Sequence, residues 1–199
     1  MGVRVMTSTS SPGWALMQET MSHLVNAELP CVVVLVQRGG PGQGTTRHAQ
    51  MDYLSVTRGG GQGGYKIIVL TPASVQETHD LVQLAFHLAD KYRNPVIVLS
   101  DGLIGMTMEP LEVGAIDFGP VPEKDWALRG SAQQMDGRRR AVSCAQGLIG
   151  LPPYPNYLSF LTALDEKYKA MTISETRYEA WQTEDAQLGP VNTKGHFLI

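Results

Sequence analysis

Three short, uninterrupted apolar runs dominate the first hundred residues, at positions 31–36, 67–70 and 96–99. Such runs are typical of strands buried on both faces, as in a parallel sheet. Helical patterns lie between them, and the clearest places apolar residues from Val75 to Ala89 opposite a polar face. We therefore predict an α/β fold, a parallel sheet with helices on both faces and right-handed crossovers.

The remaining elements follow from spacing and turn chemistry. Residues 1–6 are typical of a short strand, and Thr7–Gly13 of a hydroxyl-rich turn in which Ser11 and Pro12 suit a helix N-cap and first turn. The other predicted elements are a helix over about 13–27, a strand over 31–36, a short helix over 51–57, a strand over 65–70, a helix beginning at 71–74, a strand over 96–99 and a helix over about 156–182.

A change of composition near residue 108 indicates the domain organisation. Residues 109–155 are rich in Pro, Gly and charge, which predicts an extended segment, and residues 187–199 have the character of a tail. We expect an α/β core over 1–108 and an extended linker, helix and tail over 109–199.

Composition argues against several classes of protein. A net charge of -3 offers no footprint for nucleic acid, and the basic run at 138–140 is typical of a solvated loop. Cys31 and Cys144 are too few for an iron–sulfur cluster, which needs four thiolates, and Cys31 suits a core position. Because no apolar run approaches the ~20 residues of a membrane span, we expect a cytoplasmic protein.

The segment from Val36 to Asp52 is the best candidate for a ligand site. It begins at the end of a buried strand, where parallel sheets bind ligands, and continues into a Gly/Pro-rich loop. Arg38 suits bidentate binding of a carboxylate, although a salt bridge to Asp52 or Asp101 is an equal alternative. His48 is either a polar loop residue or a proton-transfer group.

Three other motifs carry weaker signals. The hydroxyls of Thr7–Gly13 beside a helix N-terminus suit an anion or a polarised carbonyl, with helix capping as the alternative. Neither glycine cluster matches a P-loop or a dinucleotide fingerprint, and Gly59–Gly64 suits a bend between elements. Ser100–Gly102 suits a turn after the last strand.

Several segments together resemble the alpha subunit of the 2-oxoacid:ferredoxin oxidoreductases. They are RVMTSTSSPG at 4–13, LPCVVV at 29–34, QRGGPG at 37–42, TPASVQE at 71–77, ADKYRNPV at 89–96 and DG at 101–102. The resemblance covers about residues 2–185 and the domain that binds the aminopyrimidine ring of thiamine diphosphate. The insert GGGQGGY at 59–65 is closest to the branched-chain, 2-oxoisovalerate type.

The resemblance implies an activity and roles for individual residues. The expected reaction is oxidative decarboxylation of a 2-oxoacid, in which thiamine attacks the keto carbon, CO2 leaves, coenzyme A takes the acyl group and electrons pass through iron–sulfur clusters to ferredoxin. Arg38 matches the arginine that binds the substrate carboxylate, and Thr9 and Ser10 match the loop beside thiazolium and substrate. Ser11 and Asp52 are expected near the cofactor, without an assigned catalytic role.

The same resemblance implies partner chains. The diphosphate and Mg2+ motif belongs to the beta subunit, the iron–sulfur clusters lie on partner chains, and we expect a complex with beta, gamma and delta subunits. The family's N-terminal Tyr-Pro-Ile-Thr-Pro turn, its glutamate and its C-terminal swivelling domain are not found. We therefore expect a pyrimidine-binding domain truncated at both ends, inactive alone, whose open edges favour self-association or tight partner binding.

Other functions stay open on this reasoning. The chain suits a non-catalytic interaction or assembly module derived from the same subunit. It also suits half of another thiamine diphosphate enzyme, such as a transketolase-like protein acting on a sugar, or a standalone phosphate-binding module.

Overall fold

A four-stranded parallel sheet forms the centre of the molecule. The computed structural model describes residues 2–127 and 154–178. The strands are β1 (Met6–Ser10), β2 (Cys31–Gln37), β3 (Ile68–Leu70) and β4 (Pro95–Asp101), and their order across the sheet is β1-β2-β4-β3. All neighbouring pairs are parallel, which confirms the predicted α/β class.

Three helices lie in the connections between these strands, and a fourth follows the last strand. They are α1 (Ser11–Asn26), α2 (Tyr53–Arg58), α3 (Val75–Tyr92) and α4 (Tyr157–Glu175), with a 3-10 turn at Ile104–Met106. The chain moves from β1 to β2 in one direction across the sheet and from β3 to β4 in the other. Because parallel crossovers are right-handed, α1 and α3 lie on opposite faces. No helix among the described residues has both the length and the apolar character needed to cross a membrane.

The core is built on the apolar strands that the sequence predicts. Every residue of β3 and β4 is buried, and β2 contributes three fully buried side chains, namely Val32, Val33 and Leu35. Helix α4 packs on the same core through Phe160, Leu164, Tyr168 and Met171. The division at residue 108 stays a prediction.

The prediction for the first strand is wrong. The strand is Met6–Ser10 rather than residues 1–6, so Thr7–Ser10 are not a turn. The reason is their pairing, because Thr7 to Ser10 lie in register with Val33 to Val36 of β2. Ser10, not Ser11, is the N-cap of α1, without a side-chain capping bond, whereas Pro12 does lie in the first turn.

Other boundaries differ less. Only Ile68–Leu70 of the predicted strand 65–70 pairs as a strand, and α4 ends at Glu175, with residues 179–182 outside the described part. The spacing of Tyr157, Phe160, Leu161 and Leu164 also predicts that all four lie on the apolar side of this helix, but Tyr157 and Leu161 are 54% and 39% exposed. The basic run at 138–140, Cys144 and the predicted tail at 187–199 also lie outside the described residues.

Buried carboxylates attach α4 to the sheet domain. Glu28, in the turn after α1, receives hydrogen bonds from Lys167 Nζ at 2.7 Å and Tyr154 Oη at 3.1 Å, and Arg93 lies at 3.8 Å. At the other end of the helix Glu175 pairs with Lys91 at 2.5 Å. Because both carboxylates are buried, these pairs define how α4 sits on the core.

Candidate functional site

The carboxyl ends of three strands meet at one edge of the sheet. Ser10 of β1 lies beside Val36 of β2 in register, and Gln37 lies beside Asp101 of β4. The residues that follow β1 and β2, Ser11 and Arg38, are therefore neighbours. This is the edge at which parallel α/β sheets bind ligands.

Arg38 is held by a hydroxyl and by its own loop rather than by a carboxylate. Its Nε donates to Ser10 Oγ at 3.2 Å, and Nη1 donates to the carbonyl oxygens of Gln43 at 2.5 Å and Thr45 at 3.3 Å. Within residues 2–127 and 154–178, Nη2 forms no hydrogen bond and the guanidinium forms no ion pair. The alternative prediction, a salt bridge from Arg38 to Asp52 or Asp101, is therefore wrong.

Ser11 joins three elements at one hydroxyl. Its Oγ accepts from the backbone N–H of Arg38 at 2.9 Å and donates to the carboxylate oxygen Oδ2 of Asp52. The backbone N–H of Asp52 donates in turn to Gln37 Oε1 at 3.1 Å. The start of α1, the end of β2 and the residue before α2 thus form one connected group, in which Asp52 Oδ1 is left without a hydrogen bond to the described residues.

Asp101 anchors the far side of the loop. Its Oδ2 accepts from Gln50 Nε2 at 2.7 Å, and Oδ1 accepts from the backbone N–H groups of Leu103 at 2.8 Å and Ile104 at 3.0 Å. Burial alone raises the pKa of Asp101, but the Gln50 side chain and the two N–H groups outweigh it and lower the pKa. The predicted turn at Ser100–Gly102 is partly wrong, because Ser100 and Asp101 are still paired in β4 and the turn begins at Gly102.

His48 lies at the base of the same loop. Its backbone pairs with Arg38 as an isolated antiparallel bridge, and its ring stands against Gly102, where an added Cβ would be 3.0 Å from Nδ1. The residue is exposed. The structure therefore brings His48 to the strand ends, and no hydrogen bond of its ring to another described residue assigns it a role.

Thr9 lies behind the site, against the first turn of α1. A Cβ at position 13 would overlap Thr9 Oγ1, so Gly13 is the residue that leaves room for this side chain. Thr9 Oγ1 donates to the carbonyl oxygen of Ser10 at 3.3 Å. Thr9, Ser10, Ser11, Arg38 and Asp52, the residues selected from the sequence, are thus gathered at or beside one strand edge.

The second glycine cluster is a bend fixed to α1. The N–H groups of Gly60 and Gly61 donate to Tyr65 Oη at 3.2 and 3.4 Å, and that of Gln62 donates to Glu19 Oε2 at 3.0 Å. These three N–H groups already have acceptors within the protein, so they are not open to a phosphate. This agrees with the expected bend.

The described residues include neither a metal-binding cluster nor a thiol with a lowered pKa. No group of three or more His, Cys, Asp or Glu side chains within the described ranges could hold a metal ion. Cys31 is half-buried, and burial raises the pKa of its thiol. A thiol in that state is a poor nucleophile, which agrees with a core role.

Sequence reasoning missed the residues that hold Arg38, Asp52 and Asp101 in place. Gln37 and Gln50 bind Asp52 and Asp101, and the carbonyls of Gln43 and Thr45 hold the guanidinium. Gln37 could have been found from its place at the end of β2. The two carbonyls could not have been found, because every residue has a backbone carbonyl and the residue type does not show which of them binds the guanidinium.

Comparison with known proteins identifies the family. Residues 1–143 match the model of the pyruvate flavodoxin/ferredoxin oxidoreductases, thiamine diphosphate-binding. The chain is 44% identical over 187 residues to ketoisovalerate oxidoreductase subunit VorB of Methanothermobacter marburgensis, covering 94% of this chain and 51% of that protein. It is 36% identical over 177 residues to 2-oxoglutarate synthase subunit KorA of Archaeoglobus fulgidus, covering 85% and 49%. The chain therefore spans about half the length of these relatives.

A solved structure has the same fold. The 2-oxoglutarate:ferredoxin oxidoreductase from Magnetococcus marinus, with 2-oxoglutarate, coenzyme A and succinyl-CoA bound, superposes with a TM-score of 0.64 at 27% identity, covering 91% of this chain and 35% of that one. The family match extends over most of the chain and includes the whole sheet edge described above. The chain belongs to the thiamine diphosphate-binding domain family of the pyruvate flavodoxin/ferredoxin oxidoreductases.

Proposed function

We propose that this chain supplies the pyrimidine and substrate-carboxylate side of a thiamine diphosphate site in a 2-oxoacid:ferredoxin oxidoreductase. The reaction is the coenzyme A-dependent oxidative decarboxylation of a 2-oxoacid, with ferredoxin receiving the electrons indirectly. The chain acts in the position of the alpha subunit. The observation that carries the proposal is the position of Arg38 at the end of β2, with an Nη2 that has no hydrogen-bond partner among the described residues.

Arg38 has the properties that a carboxylate-binding residue needs. It is a cation at the ligand edge of the sheet, it has no acidic partner among the described residues, and three hydrogen bonds hold its guanidinium in one orientation. Its planar donors match the two oxygens of a carboxylate. A preformed, unpaired guanidinium therefore favours an anionic substrate over a neutral one.

The residues beside Arg38 fit the cofactor side of the same site. Thr9 and Ser10 carry hydroxyls that can donate and accept, as the ring nitrogens and amino group of an aminopyrimidine require. Ser11 and Asp52 lie next to them, and Asp52 Oδ1 accepts no hydrogen bond from the part of the chain that the structure describes. Thiamine, when bound there, supplies the carbon that takes the acyl group from the 2-oxoacid as CO2 leaves. We assign no proton transfer to a residue of this chain.

The remaining parts of the site belong to partner chains in this proposal. Because no described cluster suits a metal, the Mg2+ and diphosphate are bound by a beta subunit, and the iron–sulfur clusters lie on other subunits. The named relatives are themselves called subunits, which supports a complex. The outer edge of β1, which pairs with no other described strand, suits burial by gamma, delta or beta subunits or by a second copy, and Met6 and the preceding Val5 are about half exposed there.

A branched-chain 2-oxoacid is the substrate that we favour. The support is the similarity to ketoisovalerate oxidoreductase subunits, which extends over 94% of this chain. The 2-oxoglutarate synthase subunits match either over less of the chain or at lower identity: that of Methanocaldococcus jannaschii is 44% identical over 54% of this chain, and that of Archaeoglobus fulgidus is 36% identical over 85%. The proposed substrate is therefore 3-methyl-2-oxobutanoate.

Turnover by an assembled complex tests the proposal. The chain is combined with beta, gamma and delta subunits, thiamine diphosphate, Mg2+ and coenzyme A, and reduction of a viologen dye is followed with 3-methyl-2-oxobutanoate and with 2-oxoglutarate. We expect reduction that is faster with the branched acid and absent for the chain alone. Binding to the partners without any turnover would contradict the proposal and favour a non-catalytic assembly module.

A further inference from the structure

The guanidinium of Arg38 has two edges that are engaged differently. Nη1 donates to the carbonyls of Gln43 and Thr45, Nε donates to the Ser10 hydroxyl, and Nη2 has no hydrogen bond to the residues described. An arginine side chain holds five N–H donors in one rigid plane. The existing contacts therefore decide which pair of donors is open to a ligand.

A carboxylate binds a guanidinium most strongly through two parallel hydrogen bonds. It can use the Nε–Nη2 edge or the Nη1–Nη2 edge. Both contacts of Nη1 are backbone carbonyls, which accept only and cannot turn away unless the loop itself moves. The contact of Nε is different, because the Ser10 hydroxyl rotates freely and can donate as well as accept.

We propose that Arg38 divides its donors between two tasks. Nη1 holds the loop of residues 39–50, and the Nε–Nη2 edge receives the carboxylate of a 2-oxoacid. When the carboxylate arrives, Ser10 gives up its bond from Nε and donates its own proton to a carboxylate oxygen. The inference rests on the proposed function and adds to it the edge used, the change of role at Ser10 and a loop that keeps its contacts.

Two consequences can be measured separately. Ser10 contributes directly to carboxylate binding, so its removal weakens that binding without removing the arginine. The loop keeps its conformation, because Nη1 does not change partners. Arg47 is exposed within this loop, and the rate of trypsin cleavage after Arg47 reports whether the loop has opened.

The binding arm of the test uses the full chain labelled with 15N at arginine. 3-Methyl-2-oxobutanoate is titrated in, and the Nε–H signal of Arg38 is assigned by its loss in Arg38→Lys. We expect a saturable shift, about tenfold weaker binding in Ser10→Ala, since hydrogen bonds to charged groups are the stronger ones, and unchanged binding in Ser8→Ala. Ser8 is two residues earlier on the same strand and does not contact Arg38. The methyl ester of the acid, which has no charge, should produce no shift.

The cleavage arm needs no variant. It therefore tests whether the loop of residues 39–50 keeps its contacts even if Ser10→Ala fails to fold. We expect the cut after Arg47, followed by mass spectrometry, to proceed at the same rate with and without saturating acid. Faster cleavage with acid, or wild-type affinity in a folded Ser10→Ala, would overturn the division of donors while leaving Arg38 as the binding residue. Absence of binding to the unaltered chain, or binding undiminished in Arg38→Lys, would overturn the carboxylate site of the proposed function as well.

Discussion

The hydroxyl of Ser11 accepts a hydrogen bond from the backbone N–H of Arg38 at 2.9 Å. This contact joins the first residue of α1 to the residue that follows β2. Since the same hydroxyl donates to Asp52, the backbone position of the candidate substrate-binding arginine depends on two residues distant in sequence. Arg38 is therefore positioned by the crossing of three chain segments and not by its loop alone.

Removing the Ser11 hydroxyl should destabilise the protein. Ser11→Ala leaves the Arg38 N–H and the Asp52 carboxylate without their partner, and we expect a loss of about 1–3 kcal/mol in the free energy of unfolding. Urea denaturation followed by circular dichroism measures it. Ser11→Thr keeps the hydroxyl and should recover part of the loss, and Ser8→Ala on β1 should stay within about 0.5 kcal/mol of wild type. A Ser11→Ala chain as stable as Ser8→Ala would contradict the role of this hydroxyl.

A methyl group at position 13 should displace Thr9. Alanine in a helix is normally about 1 kcal/mol more favourable than glycine. Here the added Cβ overlaps Thr9 Oγ1, so we expect Gly13→Ala to be destabilising. The double variant Gly13→Ala/Thr9→Ala removes the clashing oxygen and should recover the loss in thermal denaturation. If the double variant is no more stable than Gly13→Ala, the overlap is not the cause.

Neutralising Glu28 should loosen α4. The Glu28 and Lys167 side chains are 8% and 15% exposed, so Glu28→Gln leaves a largely buried ammonium without its counter-ion. We expect a loss of about 3–5 kcal/mol. Asp165→Asn, on the same helix, breaks an exposed pair with Lys169 and should cost less than about 1 kcal/mol. Equal losses in the two variants, measured by urea denaturation, would show that burial of the Glu28 pair does not matter.

Alkaline pH should destabilise the folded protein, because two buried tyrosines keep their protons to a higher pH in the folded chain than in the unfolded chain. Burial, and then the nearby Glu28 carboxylate, raise the pKa of Tyr154 to about 12, and burial raises the pKa of Tyr168 to about 12. The unfolded chain loses these protons near pH 10 while the folded chain keeps them. Stability is therefore fully present below pH 10 and falls between pH 10 and 12. Tyr154→Phe should flatten this fall in urea denaturation across that range, and an unchanged slope would contradict it.

The apolar strands were predictable because a strand that is buried on both faces needs apolar residues at nearly every position. Val32 and Val96 lie in uninterrupted apolar runs and both are fully buried. The position of β1 was not predictable, because Thr7–Ser10 has the residues of a turn and becomes a strand only by pairing with β2. Local propensity was overridden there by a tertiary contact.

The candidate site was predictable in its residues and not in its connections. The position of Arg38 after a buried strand was enough to select it, since parallel strands end at one edge. Its partners were not visible, because Ser10 and Ser11 are each distant from it in sequence and the Gln43 and Thr45 contacts are made by backbone oxygens. Glu28 was missed for a similar reason, as its partners are Arg93 just after α3, Lys167 of α4 and Tyr154 before α4.

The dependence of turnover on Arg38 tests the central claim most directly. In a complex with its partner subunits, kcat and KM for 3-methyl-2-oxobutanoate are measured by viologen reduction for the unaltered chain, Arg38→Ala and Arg47→Ala. Loss of a bidentate charged contact predicts a rise in KM/kcat of about 100-fold for Arg38→Ala. Arg47, exposed in the same loop, is the matched control and should change it by less than about twofold. Arg38→Ala kinetics equal to those of Arg47→Ala would contradict the assignment of the carboxylate site.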